Sequence, residues 1–338
     1  MNNLNNQGKK GSQAPVDDIL DSTLRPKDWE NYVGQDKVKQ NLKVIIEAAQ
    51  QRKESPEHLL LYGNPGLGKT TLAYLISQEI GADIRITSGP ALERSGDLAA
   101  ILTNLTEGSV LFVDEIHRLS RVVEECLYPA MEEFKLNLIL GKGPMARIME
   151  LKVPRFTLIG ATTKLASMSS PLRSRFGATF GLNFYTLEDI QKILTRSSRL
   201  LNVEIEDPAL SIIAKTARFT PRVANHLLRR VRDFAQVRGQ GIITKDSAQN
   251  SLQSVEIDES GLTNNDQRIL EALIHKFAGG PVGLKTLASA TAEEEDTILD
   301  IYEPYLMRLG LIALTPRGRV ATKLAFEHLG LKPPSRLL

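Results

Sequence analysis

Between Gln40 and Arg52, apolar residues recur at helical spacing with Leu42, Ile45, Ile46 and Ala49 on one side, which predicts an amphipathic helix. The pattern then changes. His58 to Tyr62 is a short unbroken apolar run ending in glycine, and similar runs occupy Asp83 to Thr87, Ser109 to Asp114 and Phe156 to Thr163. The intervening segments are long enough to hold crossover helices, so the expected fold class is α/β, a parallel sheet covered on both faces.

After Phe184 the strand signals stop. Residues 186–257 read as amphipathic helices with Pro208 and Pro221 near helix starts, predicting a small all-helical unit. A cluster of Asp, Glu, Ser, Gly and Asn at Asp258 to Thr263 marks a second boundary before the helical pattern of Asp266 to Phe277, and 259–338 form a third unit. Residues 1–16, rich in Asn, Gln, Gly, Lys and Ser, are expected to form a flexible tail, leaving 17–185 as the large unit. Within it, 136–152, centred on Gly141-Lys142-Gly143-Pro144, reads as a hairpin with apolar residues on both arms. Pattern alone allows it to pack on its own domain or to protrude.

Composition narrows the function classes. The 338 residues hold 42 Lys+Arg against 40 Asp+Glu, a formal charge of +2, which excludes a uniformly basic coat protein and an acidic solvating tail. No stretch approaches the ~18 consecutive apolar residues of a membrane span, and the polar start lacks the apolar core of a secretory signal. A cytosolic chain with no membrane contact is therefore expected. The single cysteine, Cys126, excludes an internal disulfide and reads as a small buried apolar residue.

The candidate chemistry follows the strands. Gly63-Asn64-Pro65-Gly66-Leu67-Gly68-Lys69-Thr70 satisfies G-x-x-x-x-G-K-[ST] between a strand and a helix. Glycines let backbone N–H groups converge at a helix N-terminus that favours phosphate, Lys69 can reach the β and γ phosphates, and Thr70 can offer a hydroxyl to Mg²⁺. The run Val110 to Val113 ends in Asp114-Glu115, delivered to the sheet edge where open parallel sheets bind ligands. Asp114 is expected to hold hydrated Mg²⁺ and Glu115 to polarise the attacking water, the alternation of a strand pointing them apart. His117 has no second histidine at ligand spacing, so a supporting or surface role is expected. The run at Phe156 ends in hydroxyls at Thr162 and Thr163, and Pro171-Leu172-Arg173-Ser174-Arg175 brings arginines suited to a transferring phosphoryl group.

Taken in order, these elements resemble an AAA+ ATPase. The flanks narrow the resemblance to the RuvB family: Leu24-Arg25-Pro26, Tyr32-Val33-Gly34-Gln35, Thr87-Ser88-Gly89-Pro90, Asp114-Glu115-Ile116-His117-Arg118-Leu119, Leu127-Tyr128-Pro129-Ala130-Met131-Glu132, Gly279-Gly280-Pro281-Val282-Gly283-Leu284 and Thr315-Pro316-Arg317-Gly318-Arg319. The resemblance implies a parallel-sheet P-loop ATPase domain (17–185), a helical lid (186–257) and a winged-helix head (259–338). It implies ATP and Mg²⁺ as cofactors, with nucleotide contacts from Leu24, Arg25, Gly66, Gly68, Lys69, Thr70, Thr71, Tyr185 and the stretch Glu132, Glu133 and Phe134. It makes Thr70 and Asp114 the Mg²⁺ ligands and Glu115 the catalytic carboxylate. Thr163 becomes sensor 1, Arg222 of Thr220-Pro221-Arg222 sensor 2 on its own subunit's ATP, and Arg175 the finger acting on a neighbour's ATP. Asn64 departs from the proline usual at its position, where neither a phosphate-binding side chain nor an extra N–H is needed.

The implied function is a motor of Holliday-junction branch migration. It forms a homohexamer on duplex DNA at four-way junctions, meets RuvA through the 136–152 hairpin and joins RuvC in the resolving complex, in the bacterial cytoplasm. Gly283 to Ala290 and Glu293 to Leu309 resemble a helix-turn-helix, with Leu311 to Val320 as its wing. The acidic start Glu293-Glu294-Glu295-Asp296 argues against groove entry by the second helix, so Arg317 and Arg319 on the wing are the expected DNA contacts, and Leu314 stands where relatives are often basic. The seven cations between Lys215 and Arg238, against Asp233 alone, allow a nucleic-acid surface, but Arg222 is assigned to ATP and the others, at helical spacing, can pair with carboxylates of the large domain or an adjacent subunit. An AAA+ clamp-loader or initiator-like switch is the alternative; a two-lobed helicase lacks a second parallel sheet.

Overall fold

In the computed structural model, residues 23–140 and 147–333 are described. The expectations for the tail 1–16 and for the turn Gly141-Lys142-Gly143-Pro144 lie outside these residues.

The apolar runs become the strands β1 (Leu59–Tyr62), β2 (Ile84–Ser88), β3 (Ser109–Asp114) and β6 (Phe156–Thr162). All pair in parallel, in a five-stranded sheet of order β2-β3-β6-β1-β7. β6 is buried along its whole length and β3 all but its last residue, whereas β2, at the sheet edge, is exposed at its centre. The fifth strand, β7 (Ala178–Gly181), was absent from the sequence expectations; it pairs with the free edge of β1. The register aligns Ser88 with Asp114 and Tyr62 with Thr162, so the polar strand ends gather along one edge.

Between β3 and β6, β4 (Lys135–Leu140) and β5 (Arg147–Lys152) form an antiparallel hairpin. Leu136 is buried, and Leu138 and Leu151 pack on the same apolar cluster as β3 and β6, so the base of the hairpin packs on its own domain. Cys126 is only partly buried against that cluster, with burial raising its thiol pKa.

Four helices follow: Leu187–Leu200, Asp207–Thr216, Pro221–Arg238 and Lys245–Ser254. Thr186, Thr220 and Thr244 each cap a helix N-terminus through the side chain, and proline occupies the first turn of the second and third helices. Their apolar faces share one continuous core with a face of the sheet, joining Leu59, Leu61 and Phe112 to Ile190, Ile213, Leu227 and Leu252.

The last unit has its own core around Leu262, Ile269, Leu287, Leu306 and Phe326. It contains the helix Asn264–Glu271 continued by a π-turn, the helix Leu284–Thr291, and a helical run from Glu295 to Arg308 with a π-turn at Ile298–Tyr302. The wing is the hairpin of β8 (Ile312–Thr315) and β9 (Gly318–Ala321), followed by the helix Lys323–His328. Asp258 hooks the connection by accepting from the backbone of Ser260 and Leu262 and from His328 Nε2 at 2.9 Å.

Candidate nucleotide site

The chain between β1 and the helix Lys69–Glu79 curls tightly because Gly63, Gly66 and Gly68 have φ of 144°, 79° and 98°. A Cβ on Gly66 would come within 3.0 Å of Arg222 Cβ, and one on Gly68 within 3.1 Å of the Tyr32 hydroxyl. The N-cap Gly68 has no side chain to cap the helix, so its first N–H groups can serve an anion at the positive end of the helix dipole. Lys69 is buried, and its ammonium donates to the carbonyls of Gly63 at 2.7 Å and Asn64 at 3.1 Å. Burial lowers its pKa, against the pull of Asp114 and Glu115.

Across the sheet edge, β3 ends at Asp114, and Glu115 takes a left-handed conformation with φ 46°. Glu115 thus lies in the turn after the strand rather than in its alternation, and both carboxylates line one cleft. Burial raises the Asp114 pKa, with the Glu115 charge adding to the effect and Lys69 and Arg222 opposing it. One oxygen of Glu115 accepts from the Thr163 hydroxyl at 3.1 Å and the Thr163 backbone N–H at 3.4 Å, and lies 3.2 Å from His117 Nδ1. His117 Nδ1 also meets Thr162 Oγ1 at 2.9 Å, so the ring lies between the end of β6 and Glu115. The supporting role read for His117 thus has a geometry.

A cleft of about 660 Å³ runs from this edge to the lid helices. Among the expected residues it is lined by Leu24, Arg25, Gly66, Gly68, Lys69, Thr70, Thr71, Asp114, Glu115, Tyr185 and Arg222. Sequence reasoning missed Tyr32, Tyr74, Arg196 and Asn225. Among the described residues the Tyr32 hydroxyl is buried without a hydrogen-bond partner, Arg25 stacks 4.3 Å from the Tyr74 ring, and Arg196 donates to the Leu24 carbonyl. Tyr32 stands in the sequence only as part of the string Tyr32-Val33-Gly34-Gln35, and Arg196 sits in an otherwise ordinary amphipathic helix with no local signal.

This cleft suits a nucleotide with Mg²⁺. Among the described residues no group of three or more His, Cys, Asp or Glu is placed to hold a metal alone. A single carboxylate, Asp114, and the Thr70 hydroxyl beside a phosphate cradle fit the hard oxygen donors that Mg²⁺ would require.

Glu132, Glu133, Phe134 and Arg175 do not line the cleft of their own chain. Arg175 lies 3.1 Å from Glu132 and stacks 4.2 Å from the Tyr128 ring, while Phe134 meets Phe156 edge to face. On the wing, Arg317 is exposed at the turn and Leu314 is exposed beside it. Arg319 instead forks onto the buried Glu303, at 2.8 and 3.3 Å, so its charge is already neutralised inside the head. Arg218 pairs with Asp266 of the head, not with the large domain as expected of that cationic stretch, and Arg232 pairs with Asp233.

Comparison with known proteins matches this geometry to one family along nearly the whole chain. Residues 24–182 match the Holliday junction DNA helicase RuvB P-loop domain, 185–258 the RuvB AAA lid domain and 259–330 the RuvB C-terminal winged helix domain. The Holliday junction branch migration complex subunit RuvB of Dehalococcoides mccartyi is 58% identical over 321 residues, covering 95% of this chain and 92% of that protein. The structure of the Thermotoga maritima RuvB Holliday junction branch migration motor superposes with a TM-score of 0.84 at 46% identity, covering 92% of this chain and 100% of that one. A point mutant of the same Thermotoga protein gives 0.85 at 45% identity, covering 92% and 99%. Among the described residues no helix is long and apolar enough to cross a membrane. The chain belongs to the RuvB family of AAA+ P-loop ATPases.

Proposed function

We propose that this chain is the ATP-driven motor subunit that assembles as a hexameric ring on duplex DNA and, with RuvA, drives Holliday-junction branch migration in recombination and repair. The observation that carries this reading is a division of the phosphate-handling groups. Lys69, Thr70, Asp114, Glu115 and Arg222 face one cleft with Thr163 bonded to Glu115, while Arg175 of the same chain lies outside it on Glu132. A complete site then requires an arginine from a second subunit, as a ring supplies.

In this mechanism the loop N–H groups and Lys69 bind the phosphates, and Thr70 and Asp114 hold Mg²⁺. Held there, Mg²⁺ would supply positive charge to the phosphate oxygens. Glu115, steadied by Thr163 and His117, orients the attacking water and takes its proton. Arg222, on the lid, ties the angle between lid and sheet to the phosphates, and Arg175 ties the neighbour, so that hydrolysis becomes relative motion. Arg317 meets the DNA backbone, and the hairpin 136–152 receives RuvA. RuvC joins in the resolving complex.

A synthetic four-way junction incubated with RuvA, ATP and Mg²⁺ tests the reading. ATP-dependent dissociation into duplex products is expected, and it should vanish in Glu115→Gln. ATP-gated DNA binding without dissociation would instead identify a switch of the clamp-loader type.

A further inference from the structure

The nucleotide cleft is joined to the head by contacts that phosphate chemistry does not require. Lys164 directly follows Thr163, and its ammonium lies 2.9 Å from Asp300 and 3.3 Å from Asp296. Both carboxylates belong to the head, on the acidic helix start and the π-turn that follows it. These bonds raise the Lys164 pKa, Asp300 contributing most. The Lys164 backbone N–H donates to Thr162 Oγ1 at 3.0 Å, the same oxygen that meets His117. The side chain gripped by the head is therefore one peptide bond from the threonine on Glu115 and one shared oxygen from the histidine on Glu115.

A second grip lies at the other wall of the cleft. Arg218 and Phe219 immediately precede Thr220-Pro221-Arg222, and both hold left-handed backbone, φ 53° and 54°. Arg218 pairs with the buried Asp266, donates to the Gly261 carbonyl at 3.3 Å and stacks 4.8 Å from the Tyr305 ring. Phe219 packs on the head core. Both segments that bear the γ-phosphate-facing candidates, Thr163 and Arg222, are thus anchored in the head.

We propose that Lys164 is a positioning residue: held by Asp296 and Asp300, it fixes the strand end that sets Thr163 against Glu115, so that the seating of the head governs the hydrolysis rate in the same chain. This rests on the ATPase reading above. Asp296 is 79% exposed and Asp300 30%, so the pairs add little to stability, and their loss should register in turnover rather than in folding.

The test uses the full chain with duplex DNA and Mg-ATP. The double variant Asp296→Ala/Asp300→Ala is expected to lower kcat about fivefold. KM for ATP should stay within about twofold, since positioning for chemistry is lost and nucleotide binding is not. Its Tm should stay within about 2 °C of the wild type. Lys164→Asp should be comparably slow, and adding Asp300→Lys should recover at least about half of the lost rate, an outcome that general damage would not give. A double variant turning over within about 1.5-fold of the wild type, or a charge swap no faster than Lys164→Asp alone, overturns the proposal. Glu115→Gln serves as the control. If it hydrolyses ATP as fast as the wild type, the ATPase reading itself has failed; if it is inactive while the double variant is not slowed, only the coupling has failed.

Discussion

At the scale of residues, His58, at the end of β1 away from the phosphate loop, shows how a buried side chain is fixed in one protonation state. Nδ1 accepts the Leu158 N–H at 2.9 Å, which assigns the proton to Nε2, and that proton is donated to the Met131 carbonyl at 3.0 Å. Burial lowers its pKa. The unfolded chain thus binds this proton more readily than the folded one: the stabilising contribution is complete above the ordinary histidine value of about 6.5 and is lost as pH falls below it towards the depressed folded value. Between about pH 7.5 and about pH 5.5, Tm should fall less in His58→Gln than in the wild type. Equal falls in differential scanning calorimetry would remove His58 as a source of acid lability. Sequence made the phosphate loop and Asp114-Glu115 legible because their chemistry demands fixed spacing in one short string. Tyr32 and Arg196 reach the cleft from distant elements and carry no such spacing, so only folding brings them into view.

At the scale of elements, periodicity sufficed where burial dictates composition, as in β3 and β6, and failed where a neighbour creates the element. β7 is four residues, Ala-Thr-Phe-Gly, and it is a strand because β1 offers it an unpaired edge. The acidic helix start at Glu294 to Asp296 looked unsuited to DNA, and the structure supplies the reason for its charge: Asp296 faces Lys164 of the large domain. Helix starts carry function here as well. Thr220, two residues before Arg222, caps the helix Pro221–Arg238 by accepting from the Val223 N–H. Thr220→Ala should cost about 1 kcal/mol in urea unfolding. It should also raise KM for ATP, because the freed first turn holds Arg222 less firmly over Gly66. A stability loss with unchanged KM would confine Thr220 to capping.

At the scale of the whole molecule, the near-neutral charge conceals the arrangement that matters, in which cations are placed at the joints. Arg218 lies between lid and head on Asp266, whose side chain is fully buried and also caps the helix after Thr263. Asp266→Ala strands a guanidinium at that joint and should destabilise the protein by about 3 kcal/mol, read as a lowered urea midpoint; a change below about 1 kcal/mol would mean that water replaces the carboxylate. In the proposed ring, the joint between subunits would depend on Arg175. With its guanidinium on Glu132 and Tyr128, outside its own cleft, Arg175→Ala should abolish hydrolysis while leaving ATP binding intact, and Lys69→Ala should abolish both. Each variant is defective on a different side of an interface. In randomly mixed rings an active interface needs an intact phosphate loop from an Arg175→Ala subunit next to an intact arginine from a Lys69→Ala subunit. An equal mixture of two inactive proteins should therefore regain about a quarter of wild-type turnover. No recovery after subunit exchange would show that Arg175 serves the nucleotide of its own chain, and the ring would lose its reason for completing the site.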